Sequence, residues 1–134
     1  MNTASCDTNG AGGFPQTLHV RKHTFQADVV EASGGADSAP GPHDYFDASL
    51  ASCKALTAIW YAKKHAIPLE NVHTVAERDD ADERKGTYRL HVRISFEGPM
   101  SAEQRAALEK AVGACPIHKL MTTSDVVVDT TFGA

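Results

Sequence analysis

The feature that most constrains this fold is a run of 22 residues, Tyr45 to Ala66, with no glycine and no proline. Before Lys63 its only charges are Asp47 and Lys54. A run of that length predicts an α-helix about 33 Å long. Its near all-round apolarity predicts a helix wrapped by other structure rather than lying on a surface. A chain of 134 residues is short for covering such a helix alone, so the run points to a homodimer. Lys63, Lys64 and His65 suit the negative end of the helix dipole, and Pro68 blocks continuation.

The flanking segments read mainly as strands. Thr17–Arg21 and Thr24–Val29 predict a hairpin turning near Lys22 and His23, followed by a loop punctuated by Gly34-Gly35 and Pro40-Gly41-Pro42. Asn71–Glu77 reads as a strand. Thr87–Glu97 is a second, with Tyr88, Leu90, Val92, Ile94 and Phe96 facing inward and Arg89, His91, Arg93 and Ser95 facing water. Ser101-Ala102-Glu103-Gln104 is a capping box that opens an amphipathic helix to about Val112, with Gly113 placed to end it. Cys115-Pro116 begins a short helical turn to Leu120, and Asp125–Thr131 predicts a last strand. Residues 1–16, rich in Gly, Ser, Thr and Asn, read as a flexible tail. The expectation is one α+β domain over 17–134, with antiparallel sheets around a long buried helix.

Composition narrows the function. A net charge of −4 and a pI near 5.9 argue against a nucleic-acid surface. The dense cluster Glu77–Lys85 mixes both signs and reads as a solvated hairpin tip. No stretch of membrane-spanning length is apolar throughout. Residues 1–13 have no basic, hydrophobic leader pattern, which makes the reducing cytoplasm the expected compartment. Three cysteines, at 6, 53 and 115, form no framework and no Cys-x-x-Cys pair.

Each thiol therefore has to be judged on its setting. Cys53 lies mid-helix, sharing a face with Phe46, Ser49, Leu50, Leu56, Thr57 and Trp60. Such a cysteine is either an inert core thiol or a nucleophile in an apolar pocket. Cys115, as N-cap before Pro116, meets free N–H groups that favour its thiolate, or it is an accident of capping. His118, in the same turn, could tune Cys115, cap the helix, or join both cysteines on a metal, which nothing in the spacing requires. Cys6 lies in the expected tail and reads as an incidental free thiol.

The segment Pro42-His43-Asp44-Tyr45-Phe46-Asp47-Ala48-Ser49-Leu50-Ala51-Ser52-Cys53 resembles the first cysteine signature of the OsmC/Ohr family, Pro-x-Glu-Leu-Leu-x-Ala-x-Leu-x-x-Cys. Cys115-Pro116-Ile117-His118 resembles its second, Cys-Pro-Val-His. Ala27-Asp28, Gly34-Gly35 and the Pro-Gly-Pro lead-in also match, and the resemblance spans residues 17–131. It implies an OsmC-like fold in an interlocked homodimer, with active sites at the subunit interface; separately, no cofactor or metal is expected. It also implies a chemistry. Cys53 attacks an organic hydroperoxide and becomes a sulfenic acid, Cys115 closes a disulfide, and an external thiol or dithiol reduces it. Phe46, Leu50, Leu56 and Trp60 are then the substrate pocket. Two alternatives stand beside this. One is a redox or electrophile-sensing protein with little peroxidase turnover; the other is a small-molecule binding protein using the apolar interface pocket.

The sequence departs from the family pattern where the Cys53 thiolate would be tuned. In the family's hydroperoxide-resistance branch a glutamate directly follows the proline; here that place is His43, and the acid stands one place later at Asp44, as in some OsmC-like relatives. On an ideal helix His43 lies about 80° round from Cys53, and Asp44 about 180°. Arg21 is the candidate cation for the thiolate. Lys54 points about 100° away from Cys53, which assigns it to solvent or a subunit contact.

Overall fold

The computed structural model describes residues 2–133; Met1 and Ala134 lie outside them. The chain forms two compact units, Met1–Phe46 and Asp47–Ala134. The division falls inside the long helix, where the sequence carries no breaker to announce it.

The first unit is a three-stranded antiparallel sheet in the order β1 (Ala4–Thr8), β2 (Gln16–Val20), β3 (His23–Ala27). The β2–β3 hairpin matches expectation, with His23 paired to Val20. The turn between them is Arg21-Lys22, with Arg21 in the left-handed region at φ 53°. The expected tail is corrected by β1, which pairs with β2 from Ala4↔Val20 to Thr8↔Gln16. Polar side chains knit the two strands together. The Thr8 hydroxyl and the Cys6 thiol both donate to Gln16 Oε1, at 2.9 and 3.4 Å, and the Thr17 hydroxyl donates to Asn9 Oδ1 at 2.6 Å. Composition hid this strand because its partners are cross-strand polar groups rather than an apolar face.

The loop after β3 is organised by Asp28, which is 2 % exposed. Its carboxylate accepts the backbone N–H groups of Val29, Ala36 and Ser38 and the Ser38 hydroxyl. Ser38, through its hydroxyl and then its N–H, and the Val29 N–H hold the Asp28 pKa down at about 2, against the opposing effect of burial. Gly35 is required here. A Cβ at that position would come within 2.2 Å of the Val29 carbonyl oxygen and 2.7 Å of Asp28 Oδ1.

Helix α1 (Pro42–Lys64) begins three residues before the predicted start, as a proline in the first helical turn allows. In the second unit it buries one stripe, Asp47, Leu50, Lys54, Ala58 and Ala62, at spacings of three and four residues. The expectation of a helix buried on nearly every side is corrected for the single chain, since Leu56 is 65 % and Trp60 62 % exposed. β4 (Asn71–Asp79) and β5 (Arg89–Glu97) form an antiparallel pair in register from Asn71↔Glu97 to Asp79↔Arg89. The in–out alternation of β5 is as the sequence predicts, ending on buried Phe96. α2 (Ala102–Val112) starts with the full Ser101–Gln104 capping box and ends at Gly113.

The core of this unit is Ala58, Ala62, Phe96, Leu108 and Val112, flanked by Tyr61, Ile67, Leu69, Val72, Ile94 and Met100. Small residues on the α1 stripe let the helix backbone approach its neighbours closely. α3 (Pro116–Thr122) follows, with Cys115 as its N-cap. The predicted strand Asp125–Thr131 does not form. Val126, Val127 and Val128 are 70–81 % exposed in an irregular segment. β-propensity describes fit to a pleated neighbour, and within the single chain this segment is given none.

Candidate active site

The two motif cysteines come from different elements, and the second unit brings them together. Cys53 is half-buried on α1, while Cys115 is 1 % exposed at the start of α3. Cys53 is near enough to the Cys115 thiol to raise its pKa. Both are free thiols.

Burial is the largest influence on Cys115 and pushes its pKa up, and the Cys53 neighbour pushes the same way. The His118 backbone N–H and the charge of Lys54 oppose that rise and lose. This corrects the expectation of an ionised Cys115. At the N-cap its thiol makes no cap hydrogen bond of good geometry, so the helix start offers only a weak electrostatic pull. Desolvation wins, and Cys115 rests as a protonated thiol.

Lys54 is the residue that sequence reasoning misplaced. It is 5 % exposed, not solvent-facing. Its Nζ donates to the Val112 carbonyl oxygen at 2.8 Å and lies 3.2 Å from His118 Nδ1. The signal was present in the sequence, since Lys54 stands four residues from Leu50 and four from Ala58, on the stripe that packs. Lys54 does point away from Cys53 round the helix, but that side of α1 faces the protein rather than solvent. His118 serves Cys115 through its backbone and Lys54 through its ring. Among the described residues, no group of three or more His, Cys, Asp or Glu side chains is placed to hold a metal.

A second buried charge, Asp47, anchors the same helix to the sheet. Its Oδ2 accepts from Arg78 Nε at 2.7 Å and its Oδ1 from the Tyr88 hydroxyl at 2.6 Å. Burial first, then the hydrogen bond and charge of Asp47, raise the Tyr88 pKa to about 12. A half-buried tyrosine, here just before β5, usually finds a partner for its hydroxyl. The charge in the apolar run six residues before Cys53 was the available clue.

The other expected site residues have less concentrated settings. Leu50 faces inward on the α1 stripe, whereas Leu56 and Trp60 face out, so a single chain does not wall one pocket from them. Trp60 carries Lys64 Nζ over its ring at 4.9 Å. Leu50 instead borders a cleft of about 460 Å³, together with Lys54, Arg105, Val112 and His118. Arg21, His43, Asp44 and Phe46 belong to the first unit. There Arg21 is exposed on its turn, Phe46 is 46 % exposed, and Asp44 accepts the Gly41 N–H at 2.9 Å, which fixes the entry into α1.

Fold and site together describe a dithiol protein built around a long helix. The family model for OsmC-like protein matches residues 34–131, and the chain belongs to that family. Solved structures agree in fold. A protein from Psychrobacter arcticus, provisionally assigned to osmotic stress and detoxification response, is 18 % identical with a TM-score of 0.76, over 92 % of this chain and 90 % of that one. An OsmC-like protein from Mycoplasma pneumoniae is 16 % identical, TM-score 0.72, over 92 % and 88 %. The organic hydroperoxide resistance protein OsmC from Legionella pneumophila is 20 % identical, TM-score 0.66, over 92 % and 90 %. No protein with a curated description matches the sequence. Among the described residues, no helix is long and apolar enough to cross a membrane.

Proposed function

We propose that this chain is a thiol-dependent peroxidase that reduces organic hydroperoxides to alcohols. The observation that carries the reading is the pairing of a half-buried Cys53 with a fully buried Cys115 whose pKa it raises. The accessible thiol meets the peroxide, and the shielded one waits beside it. The Cys53 thiolate sulfur attacks the peroxide O–O bond, takes one oxygen as a sulfenic acid, and the alkoxide leaves with a proton as alcohol. Cys115 sulfur then attacks the Cys53 sulfur, the S–O bond breaks, and water leaves as the disulfide forms. An external thiol or dithiol returns both sulfurs to the reduced state.

The apolar side chains beyond Cys53 on α1, Leu56 and Trp60, favour an organic peroxide over hydrogen peroxide. Exposed on a single chain, these side chains and the valines of 126–128 are surface that a second copy covers in a homodimer. That dimer completes the pocket with Phe46 and Leu50, and His43, Asp44 and Arg21 remain its candidate thiolate-tuning groups.

The test is peroxide consumption by purified protein with cumene hydroperoxide. Cys53→Ser abolishes consumption, including the first turnover. Cys115→Ser consumes about one equivalent per subunit and leaves a sulfenic acid on Cys53 that dimedone traps. Retained turnover in Cys53→Ser, with dimedone on Cys115, would reverse the roles.

A further inference from the structure

Lys54 makes two contacts, and only one of them is explained by the fold. Its ammonium on the Val112 carbonyl, at 2.8 Å, sits at the C-terminus of α2, where a cation offsets the helix dipole and satisfies a terminal carbonyl. The second contact, 3.2 Å to His118 Nδ1, adds nothing to that cap. An ammonium has donors only, so His118 accepts at Nδ1 and its ring carries the proton on Nε2. Lys54 therefore ties the end of α2 to the short helix that begins at Cys115, and does so from the residue adjacent to Cys53. A lysine this buried forgoes hydration that a surface position would keep. A neutral donor would have served the cap.

We propose that Lys54 is the positioning residue of the resolving step: through its charge and its hold on His118 it readies Cys115 to lose its proton and close the disulfide with Cys53. The inference rests on the peroxidase reading above. In that step the Cys115 S–H proton departs and its sulfur bonds the Cys53 sulfur. The sulfenic S–O bond breaks, and the leaving hydroxide takes up a proton as water. Cys115 sulfur is oxidised, Cys53 sulfur is reduced from sulfenic acid to disulfide, and no further oxidant enters. The difficulty of the step lies in ionising a buried thiol. The groups facing Cys115 are Cys53 and Lys54 from α1 and His118 from α3. Arg105 and Glu109 of α2 border the cleft that Lys54 also lines. Of the two cations Lys54 is the one that acts on the thiol, lowering its pKa, while Arg105 donates to the Phe96 carbonyl.

Two measurements test this. In Cys6→Ser/Cys53→Ser protein, Cys115 is the only thiol, and its thiolate absorbance is titrated against pH with Lys54 intact and as Lys54→Met, Lys54→Gln and Lys54→Arg. The neutral variants move the midpoint up by about one pH unit or more, and Lys54→Arg holds it near its starting value. With all three cysteines present, a pulse of cumene hydroperoxide is followed by dimedone capture and disulfide formation. In the neutral variants disulfide closure slows about tenfold near pH 7, one pH unit's worth of thiolate. The Cys53 sulfenic acid persists, and raising the pH restores closure. Lys54→Gln keeps a donor for Val112, so it tests the charge even if Lys54→Met fails to fold. An unmoved titration midpoint, or closure slowed equally at every pH, makes Lys54 a helix cap only and overturns the proposal. The titration uses no peroxide. A protein without peroxidase turnover therefore sinks the functional reading while leaving the titration to decide on Lys54.

Discussion

Replacing Asp47 with alanine removes the acceptor that ties α1 to β4, through Arg78, and to the turn just before β5, through Tyr88. Asp47 is 8 % exposed and accepts two hydrogen bonds, from Arg78 Nε at 2.7 Å and from the Tyr88 hydroxyl at 2.6 Å. A hydrogen bond to a charged group contributes about 1.5–3 kcal/mol net. The Arg78 side chain keeps 29 % of its surface exposed, so solvent screening holds its arm to the order of 1 kcal/mol. The Tyr88 arm contributes about 1.5–2 kcal/mol. Asp47→Ala should therefore destabilise the protein by about 2–3 kcal/mol, read as a urea midpoint lowered by about 1–2 M at an ordinary slope. The same variant has a second, independent signature. The Tyr88 pKa of about 12 owes part of its rise to Asp47, so tyrosinate absorbance should show one tyrosine titrating closer to the ordinary value. A loss of less than about 1 kcal/mol, small beside buried hydrogen bonds to a charge, or a tyrosine titration identical to wild type, would refute the anchoring role.

Two further outcomes follow from the first unit. Asp28 has a folded pKa of about 2 against 3.8 for the free group, so its contribution to stability is present above pH 3.8 and is lost as pH falls through about 2. Ser38→Ala removes the largest cause of that depression and should move acid unfolding, followed by circular dichroism, to higher pH; an unchanged acid midpoint contradicts it. Cys6 is exposed, and its thiol donates to Gln16 Oε1 at 3.4 Å. Cys6→Ser keeps a donor there and should leave peroxide turnover essentially unchanged, whereas a large loss would give β1 a part in the chemistry.

What could be read from the sequence was whatever a local pattern encodes. The α1 run, the alternation of β5, the capping box at Ser101 and the N-cap role of Cys115 each depend on residues close in the chain, and each is present in the structure. Failures came where a distant partner decides the outcome. β1 is held by its pairing with β2, where Gln16 accepts from the Cys6 thiol and the Thr8 hydroxyl, which a composition of Gly, Thr and Asn does not reveal. The valines of 126–128 have the propensity for a strand, but the single chain gives them nothing to pair with. At the site, both cysteines were visible through their motifs. Lys54 was not, because helical angle alone says which residues share a face and not which face is buried. Asking which stripe of α1 carries the small residues Ala58 and Ala62 would have placed Lys54 inside. The same holds for the thiol at the start of α3: the N-cap position suggested a thiolate, and burial reversed it.

The claim on which the rest depends is that Cys53 and Cys115 form one redox couple. Mass spectrometry of the fully reduced protein after one equivalent of cumene hydroperoxide, with free thiols blocked before digestion, tests it directly. The expected product is a peptide pair linked through Cys53 and Cys115, with Cys6 blocked as a free thiol. Recovery of Cys53 and Cys115 as unmodified thiols, with the peroxide intact, would contradict it.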